Sequence, residues 1–199
     1  MNCLLVIKNG DAMETKNHLQ LAQKIAHEKN LGKYGKYFVL GNIMPDINLF
    51  TYFRGHKYSD SIDYVRQKAN ELINEKSWDS HSYYNLGIIL HYIADYFTYP
   101  HNHIFKGTLA EHCEYEKRLR TPFLTSLKKS YVHTKREKKL TLTLKQLFQY
   151  VELRHKEYIA TTPSISKDCS YILYITEYVM DALKALHEQK QLSMVVMDV

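Results

Sequence analysis

The feature that most constrains this chain is residues 82–99, SYYNLGIILHYIADYFTY, which are apolar on nearly every side of a helix. A helix without a broad polar face has to be enclosed by other elements, so this segment predicts the central helix of a helical bundle. Pro100 follows directly. Because proline lacks the amide hydrogen and crowds the preceding turn, we expect the helix to end there.

The same helical spacing of apolar residues recurs along most of the chain. Thr108 and Glu111 form a capping-box pattern, which predicts that another helix begins at Thr108. The apolar faces of the other predicted helices are Leu21, Ala22 and Ile25; Ile62, Val65, Ala69 and Leu72; Leu140, Leu144, Leu147 and Val151; and Ile172, Ile175, Val179 and Leu186. Residues 41–58, with Pro45 and two glycines, break this spacing and predict a long loop or irregular turns.

These segments predict an all-α fold, and the 199 residues fit one domain, 1–199, without repeats or a linker. The seven glycines and four prolines leave little turn chemistry for a strand-rich fold. Residues 1–12 are expected to form a disordered or non-native extension, with Met13 as the translation start. The chain thus predicts a single-domain helical bundle.

Cysteine usage indicates a reducing compartment. Cys3, Cys113 and Cys169 are odd in number and form no CxxC pair, which argues against a disulfide framework or a thiolate zinc finger. No apolar run approaches the length of a membrane span, and the first residues make a poor signal peptide. We therefore expect a cytoplasmic protein.

The chain is basic, because 27 Lys and Arg residues exceed 21 Asp and Glu residues and give a formal charge of +6. Much of the excess lies between Lys128 and Lys139, in the sequence KKSYVHTKREKK. This stretch is either a solvated helix end or loop, or a contact for an anionic surface such as lipid or nucleic acid. No feature indicates a stable protein partner.

The central helix carries titratable groups that are costly to bury without a partner. His91 and Asp95 are four residues apart, so both lie on one helical face, which they share with the small residues Gly87 and Ala94. Such a face leaves a space that a metal ion would fill. His101 follows the break at Pro100 and can turn back toward the same space.

A second pair repeats this spacing. His112 and Glu116 lie in the first turns of the helix that begins at Thr108, and His18 lies on the apolar face of the first helix. A paired His and carboxylate without metal explains either pair alone, but the combination favours a metal site, since His and carboxylates are ligands of zinc and related ions. Five histidines outside this pattern are expected at the surface or at helix ends: His27, His81, His133, His155 and His187.

In this order the residues resemble the zinc-dependent phospholipase C and single-strand-specific nuclease superfamily. That family has an early helical His, a Pro-Asp in a loop, a His about ten residues later, a buried HxxxD helix, a Pro-His and an HxxxE. The matching positions here are His18, Asp46 in MPD, His56, His91 and Asp95 in LHYIAD, His101 in YPH, and His112 and Glu116 in EHCEYE. The resemblance spans residues 18–116, about half of the chain.

The resemblance implies an all-α bundle with a cluster of zinc ions and hydrolysis of phosphoester or phosphodiester bonds. His56, His91 and Asp95 would hold one zinc, and Asp95 would bridge to a second zinc shared with His18. His101, His112 and Glu116 would hold a third. Asp46 would act as general base or would orient the attacking water.

One family feature is missing. Secreted members complete one zinc site with an N-terminal Trp, whereas the only Trp here is Trp78. The site shared by His18 and Asp95 would then be weak, empty, or completed by water or another backbone group. The resemblance therefore implies either two or three zinc ions.

The substrate is less constrained than the metal site. Phe53 and the surrounding LFTYF either pack in the core or form a platform for a lipid head group or nucleobase, and a small phosphorylated metabolite is a third option. Two alternatives to a phospholipase C-like enzyme stay open. One is a non-catalytic di-iron protein similar to haemerythrin, and the other is a catalytically idle descendant that keeps the fold and some metal.

Overall fold

The computed structural model describes residues 13–47, 55–129 and 143–197. Within these ranges the protein contains α-helices and short 3₁₀ turns and no strand, which confirms the all-α prediction. The helices are α1 Met13–Glu28, α2 Gly35–Ile47, α3 Tyr58–Ile73, α4 Ser80–Tyr96, α5 Leu109–Lys129, α6 Leu144–Ala160 and α7 Ile165–Met197; the 3₁₀ turns are Gly32–Tyr34 and Tyr99–His101. Four expectations lie outside the described residues, namely those for residues 1–12, Phe53, Leu140 and residues 130–139.

Helix α4 is the centre of the bundle, as predicted. It contacts α1, α2, α3 and α7, and nearly all of its side chains from Leu86 onward are buried. Asp79 caps its first turn by accepting hydrogen bonds from the backbone of His81 and Ser82. The helix ends at Tyr96, earlier than predicted, and Pro100 lies in the following 3₁₀ turn. No described helix has the length and apolar character that crossing a bilayer requires.

The capping prediction for α5 is confirmed. The backbone N–H of Thr108 donates to Glu111 Oε2 at 2.6 Å, and the backbone N–H of Glu111 donates to Thr108 Oγ1 at 3.3 Å. These reciprocal bonds satisfy amide groups that the first turn of a helix leaves without partners. They fix the start of the helix that carries His112 and Glu116.

Helices α2 and α4 approach each other so closely that glycine is required on both. A Cβ atom at Gly41 would lie 1.9 Å from the backbone oxygen of Tyr84, and one at Gly87 would lie 2.2 Å from that of Phe38. The small size of Gly87 therefore admits the backbone of α2. The expectation that Gly87 leaves space for a metal ion is wrong for this reason.

The loop predicted for residues 41–58 is wrong over its first part, because α2 continues to Ile47 with Pro45 inside it. Pro45 is the third residue from the end of α2, so it removes a single late hydrogen bond of the helix. Phe38, Gly41 and Asn42 are buried, and the side-chain amide of Asn42 donates to the Gly87 carbonyl at 3.0 Å. This packing on α4 keeps the segment helical in spite of the proline.

His155 is not at the surface, which corrects another expectation. Its side chain on α6 is buried, it stacks on Tyr58 with ring centroids 4.3 Å apart, and its Nε2 lies 2.6 Å from Asn102 Oδ1. Burial, with a smaller contribution from His103, lowers the pKa of His155 to about 4. His27 and His81 are exposed, as predicted.

We expect Gly41→Ala to lower the free energy of unfolding by about 3 kcal/mol or more, because the new methyl group would collide with the backbone of α4. Gly35→Ala is the matched control, since a Cβ there would meet its nearest neighbour at an ordinary 3.5 Å. Urea unfolding followed by circular dichroism measures both. Equal stability of the two variants would contradict the close contact between α2 and α4.

We expect His155 to make the protein less stable as the pH falls from about 6.5 toward 4. Its pKa is lowered in the folded state, so the unfolded chain binds the proton more readily in this window, and the shift to about 4 corresponds to a loss of roughly 3 kcal/mol. His155→Gln keeps a donor for Asn102 and does not titrate. Unfolding curves measured between pH 4 and 8 should fall less steeply for this variant than for wild type; parallel curves would contradict the burial of a neutral imidazole.

Candidate metal centre

Six segments of the bundle bring the eight sequence-predicted His and carboxylate residues toward one region. Four helices contribute most of them, and the other two come from the segment before α3 and from the 3₁₀ turn after α4. Helix α1 contributes His18, α2 contributes Asp46, α4 contributes His91 and Asp95, and α5 contributes His112 and Glu116; His56 lies in the segment before α3, and His101 lies in the 3₁₀ turn. Phe53, the predicted substrate contact, lies outside the described residues.

The carboxylate of Asp95 is the centre of the first group. Its Oδ1 lies 3.0 Å from His18 Nε2, and its Oδ2 lies 2.8 Å from His56 Nδ1 and 3.2 Å from His91 Nε2. Asp46 reaches the same group, with Oδ1 3.5 Å from His91 Nε2. The two oxygens of Asp95 thus face different imidazoles, which is the arrangement that a bridging carboxylate needs.

Glu116 is the centre of the second group. Its Oε1 lies 3.2 Å from His101 Nε2 and 2.5 Å from His112 Nε2. The two groups adjoin each other, since the ring centroids of His56 and His101 are 5.8 Å apart. The described residues contain four sets of three possible ligands, and within each set the ligand atoms lie no more than 4.8 Å from one another. The sets are His18, His91 and Asp95; Asp46, His56 and His91; His56, Asp95 and His101; and His101, His112 and Glu116.

The protonation of His91 can be read from its surroundings. Its Nδ1 lies 2.8 Å from the backbone carbonyl oxygen of Asn42, and since a carbonyl only accepts, Nδ1 carries the proton. Burial, with a smaller contribution from His18, lowers the pKa of His91 to about 4, so the ring is neutral at pH 7. Its Nε2 therefore presents a lone pair to the carboxylate of Asp95.

The burial of Asp95 is electrostatically demanding. Burial by itself would raise its pKa, but the positive charge that the surrounding His91, His101 and His18 carry in their protonated forms outweighs that effect and holds the pKa of Asp95 well below its usual range. Only 1% of its side chain is exposed. The carboxylate is thus charged in the interior, where an unneutralised charge costs several kcal/mol or more.

Comparison with known families decides which kind of protein this arrangement belongs to. The profile of the family described as zinc-dependent phospholipase C matches residues 14–165. The chain belongs to this family. The matched range includes all eight residues named above, and it confirms the resemblance seen in the sequence. No curated protein and no solved structure matches the chain.

The donor set of this family member fits zinc. The atoms that converge are imidazole nitrogens and carboxylate oxygens, both of which bind zinc, and no thiolate takes part. His91 Nε2 lies 3.2 Å from both Asp95 Oδ2 and His56 Nδ1, so a cation among these three atoms could bind all of them. A proton held on Nδ1 by a backbone carbonyl is also the usual outer support of a zinc-binding histidine.

A cavity beside the two groups is lined by both polar and apolar side chains. Its lining includes His18, Asp95, His101 and Glu116, together with Ala94 from α4. The expectation that a small residue on α4 leaves space next to the His–Asp pair therefore applies to Ala94. The full lining is Asn17, His18, Leu21, Ala94, Asp95, Thr98, His101, Glu116, Leu119, Phe123 and Ile172.

Sequence reasoning missed the contribution of Asn42. Its backbone oxygen sets the tautomer of His91, while its side-chain amide bonds to the Gly87 carbonyl on the same helix as His91. A backbone atom has no sequence signal. The one available clue was the position of Asn42 four residues before Asp46, which places both on one face if the segment is helical.

Proposed function

We propose that this chain is a zinc-dependent hydrolase of phosphoester or phosphodiester bonds, of the phospholipase C-like type. The observation that carries the proposal is the position of His91 Nε2, whose lone pair faces the carboxylate of Asp95 at 3.2 Å inside the bundle. A cation between these two atoms would be bound by both. Family membership supports zinc as the cation and favours it over the iron of a haemerythrin-like protein.

The distances support a specific assignment of ligands. His56, His91 and Asp95 would hold one zinc, and Asp95 together with His18 would hold a second. The third site consists of His101, His112 and Glu116, in which Glu116 Oε1 faces both histidines.

The number of ions depends on the site next to His18. In this proposal the second ion has two protein ligands among the described residues, namely His18 and Asp95. Zinc prefers four ligands, so this site is the weakest of the three. We propose two tightly held ions and a third whose occupancy depends on the zinc concentration.

Zinc in such a site acidifies coordinated water and neutralises the charge of phosphoryl oxygens. Asp46 is placed to take part in proton transfer, because its carboxylate lies 3.5 Å from His91 Nε2 at the end of α2 and only 6% of its side chain is exposed. We propose that a carboxylate oxygen of Asp46 accepts the proton from the attacking water.

Charge and access both suit a phosphate group. Three carboxylates, those of Asp46, Asp95 and Glu116, offset only part of the charge of two or three divalent ions, so the loaded site is positive. The side chains of His112 and His56 are its most exposed members, at 21% and 13%. An anionic substrate would therefore approach between the start of α5 and the segment before α3.

The substrate class within phosphoesters stays open between a phospholipid head group and a nucleotide. An anionic surface contact through residues 128–139 would favour a lipid or nucleic-acid substrate over a small metabolite. Phosphatidylcholine vesicles, a single-stranded oligonucleotide and a chromogenic phosphodiester form a panel that separates these substrates. Tightly bound zinc without turnover of any of the three would instead support a catalytically idle protein.

We expect Asp95→Asn to reduce hydrolysis of the chromogenic phosphodiester by more than about 100-fold. Mutating residues that only hydrogen-bond to a metal ligand already lowers metal affinity or activity about 10–100-fold, and Asp95 is itself a proposed ligand. Asp63→Asn is the control, since that carboxylate on α3 is 92% exposed and pairs with Arg66. Rates are measured with zinc in excess. Full activity of the Asp95 variant would eliminate the proposed mechanism.

A further inference from the structure

Asp168, on α7, lies just past the range that matches the family and is fully buried, with 0% of its surface exposed. Three donors surround its carboxylate. Tyr158 O–H donates to Oδ1 at 2.7 Å, while Tyr115 O–H at 2.7 Å and the backbone N–H of Tyr99 at 3.1 Å both donate to Oδ2. Within the described residues, this carboxylate is not a member of any of the metal-ligand sets.

Two of these three donors belong to the elements that carry one metal site. Tyr99 begins the 3₁₀ turn that ends with His101, and Tyr115 directly precedes Glu116 on α5. A single oxygen, Asp168 Oδ2, accepts from both. Helix α7 therefore ties together the two elements whose ligand atoms, His101 Nε2 and Glu116 Oε1, lie 3.2 Å apart.

We propose that Asp168 is a positioning residue for the metal site formed by His101, His112 and Glu116. The inference rests on the proposed function, since it assumes that this site binds zinc. A carboxylate suits the task because one of its oxygens can accept two hydrogen bonds at once, and bonds to a charged acceptor are stronger than those to a neutral one. An apolar side chain of similar size would fill the space without linking the turn to α5.

The other end of the turn is held separately. Asn102 is buried, and its Nδ2 donates to the carbonyl oxygens of Tyr96 and Thr98 at 3.2 and 2.9 Å. These bonds to two carbonyls fix the orientation of the amide, so Oδ1 faces His155 Nε2 and accepts from it. Because the end of the turn has its own support, removing Asp168 is expected to displace the turn without unfolding it.

Tyr158 provides a matched control within the same network. Tyr158→Phe and Tyr115→Phe each remove one phenolic hydroxyl from the same carboxylate, but only Tyr115 lies on an element that carries metal ligands. A role limited to stability would make the two variants equivalent. A positioning role would separate them in zinc affinity at one site.

The experiment is a zinc titration of the full chain against a competing chelator, with melting temperatures recorded in parallel. His112→Ala identifies the binding step that belongs to this site. We expect Tyr115→Phe to weaken that step about 10-fold and Asp168→Asn to weaken it about 10–100-fold, as changes behind a metal ligand do. Tyr158→Phe should leave it within about threefold while still lowering the melting temperature through the lost hydrogen bond.

Equal zinc affinity of the Tyr115 and Tyr158 variants, with wild-type protein binding zinc normally, would overturn the positioning role and leave the proposed function intact. Wild-type protein that binds no zinc would overturn both. If Asp168→Asn does not fold, the comparison of the two tyrosine variants decides the question by itself.

Discussion

The close contact between α2 and α4 is the constraint on which the site depends. Gly41 and Gly87 let the two backbones touch, and this contact brings the carbonyl of Asn42 within 2.8 Å of His91 Nδ1. The proton of His91 is thereby held on the side away from the cluster. Asp46 lies one helical turn after Asn42, so the same contact also places the proposed proton acceptor beside His91.

Buried charge explains why the bundle is built around these residues. Asp95 and Glu116 lie in the interior with 1% and 7% of their side chains exposed, and each faces imidazoles that are charged only when protonated. A buried carboxylate is costly unless positive charge nearby compensates it. Zinc binding would supply the missing charge, and binding energy of this kind is also folding energy when the unfolded chain has no site.

Much of this arrangement could be predicted from the sequence, because spacing on a helix carries information about faces. The pairs at positions 91 and 95 and at positions 112 and 116 were placed by that rule, and the order of the eight residues led to the family. The capping box at Thr108 was equally local. Features of this kind need only the geometry of one helix.

The parts that could not be predicted depend on contacts between distant segments. From the sequence alone, Pro45 indicates the end of a helix, but the packing of α2 on α4 keeps this segment helical. Gly87 likewise indicates free space beside α4, but the backbone of α2 occupies that space. His155 lacks a ligand motif, yet it is buried by its contacts with Tyr58 and Asn102. Asp168 is likewise one acidic residue on a long helix until its three donors are seen.

The most direct test of a metal centre at His91 and Asp95 is the number of zinc ions per chain, measured by elemental analysis of purified wild-type protein and of His91→Ala. His187→Ala is the matched control, because that half-buried imidazole stacks on Trp78, away from the cluster. We predict two or three zinc ions in wild type and in the control, and fewer in His91→Ala. No stoichiometric zinc in wild type after zinc is supplied, or equal zinc in all three proteins, would contradict a metal centre at His91 and Asp95.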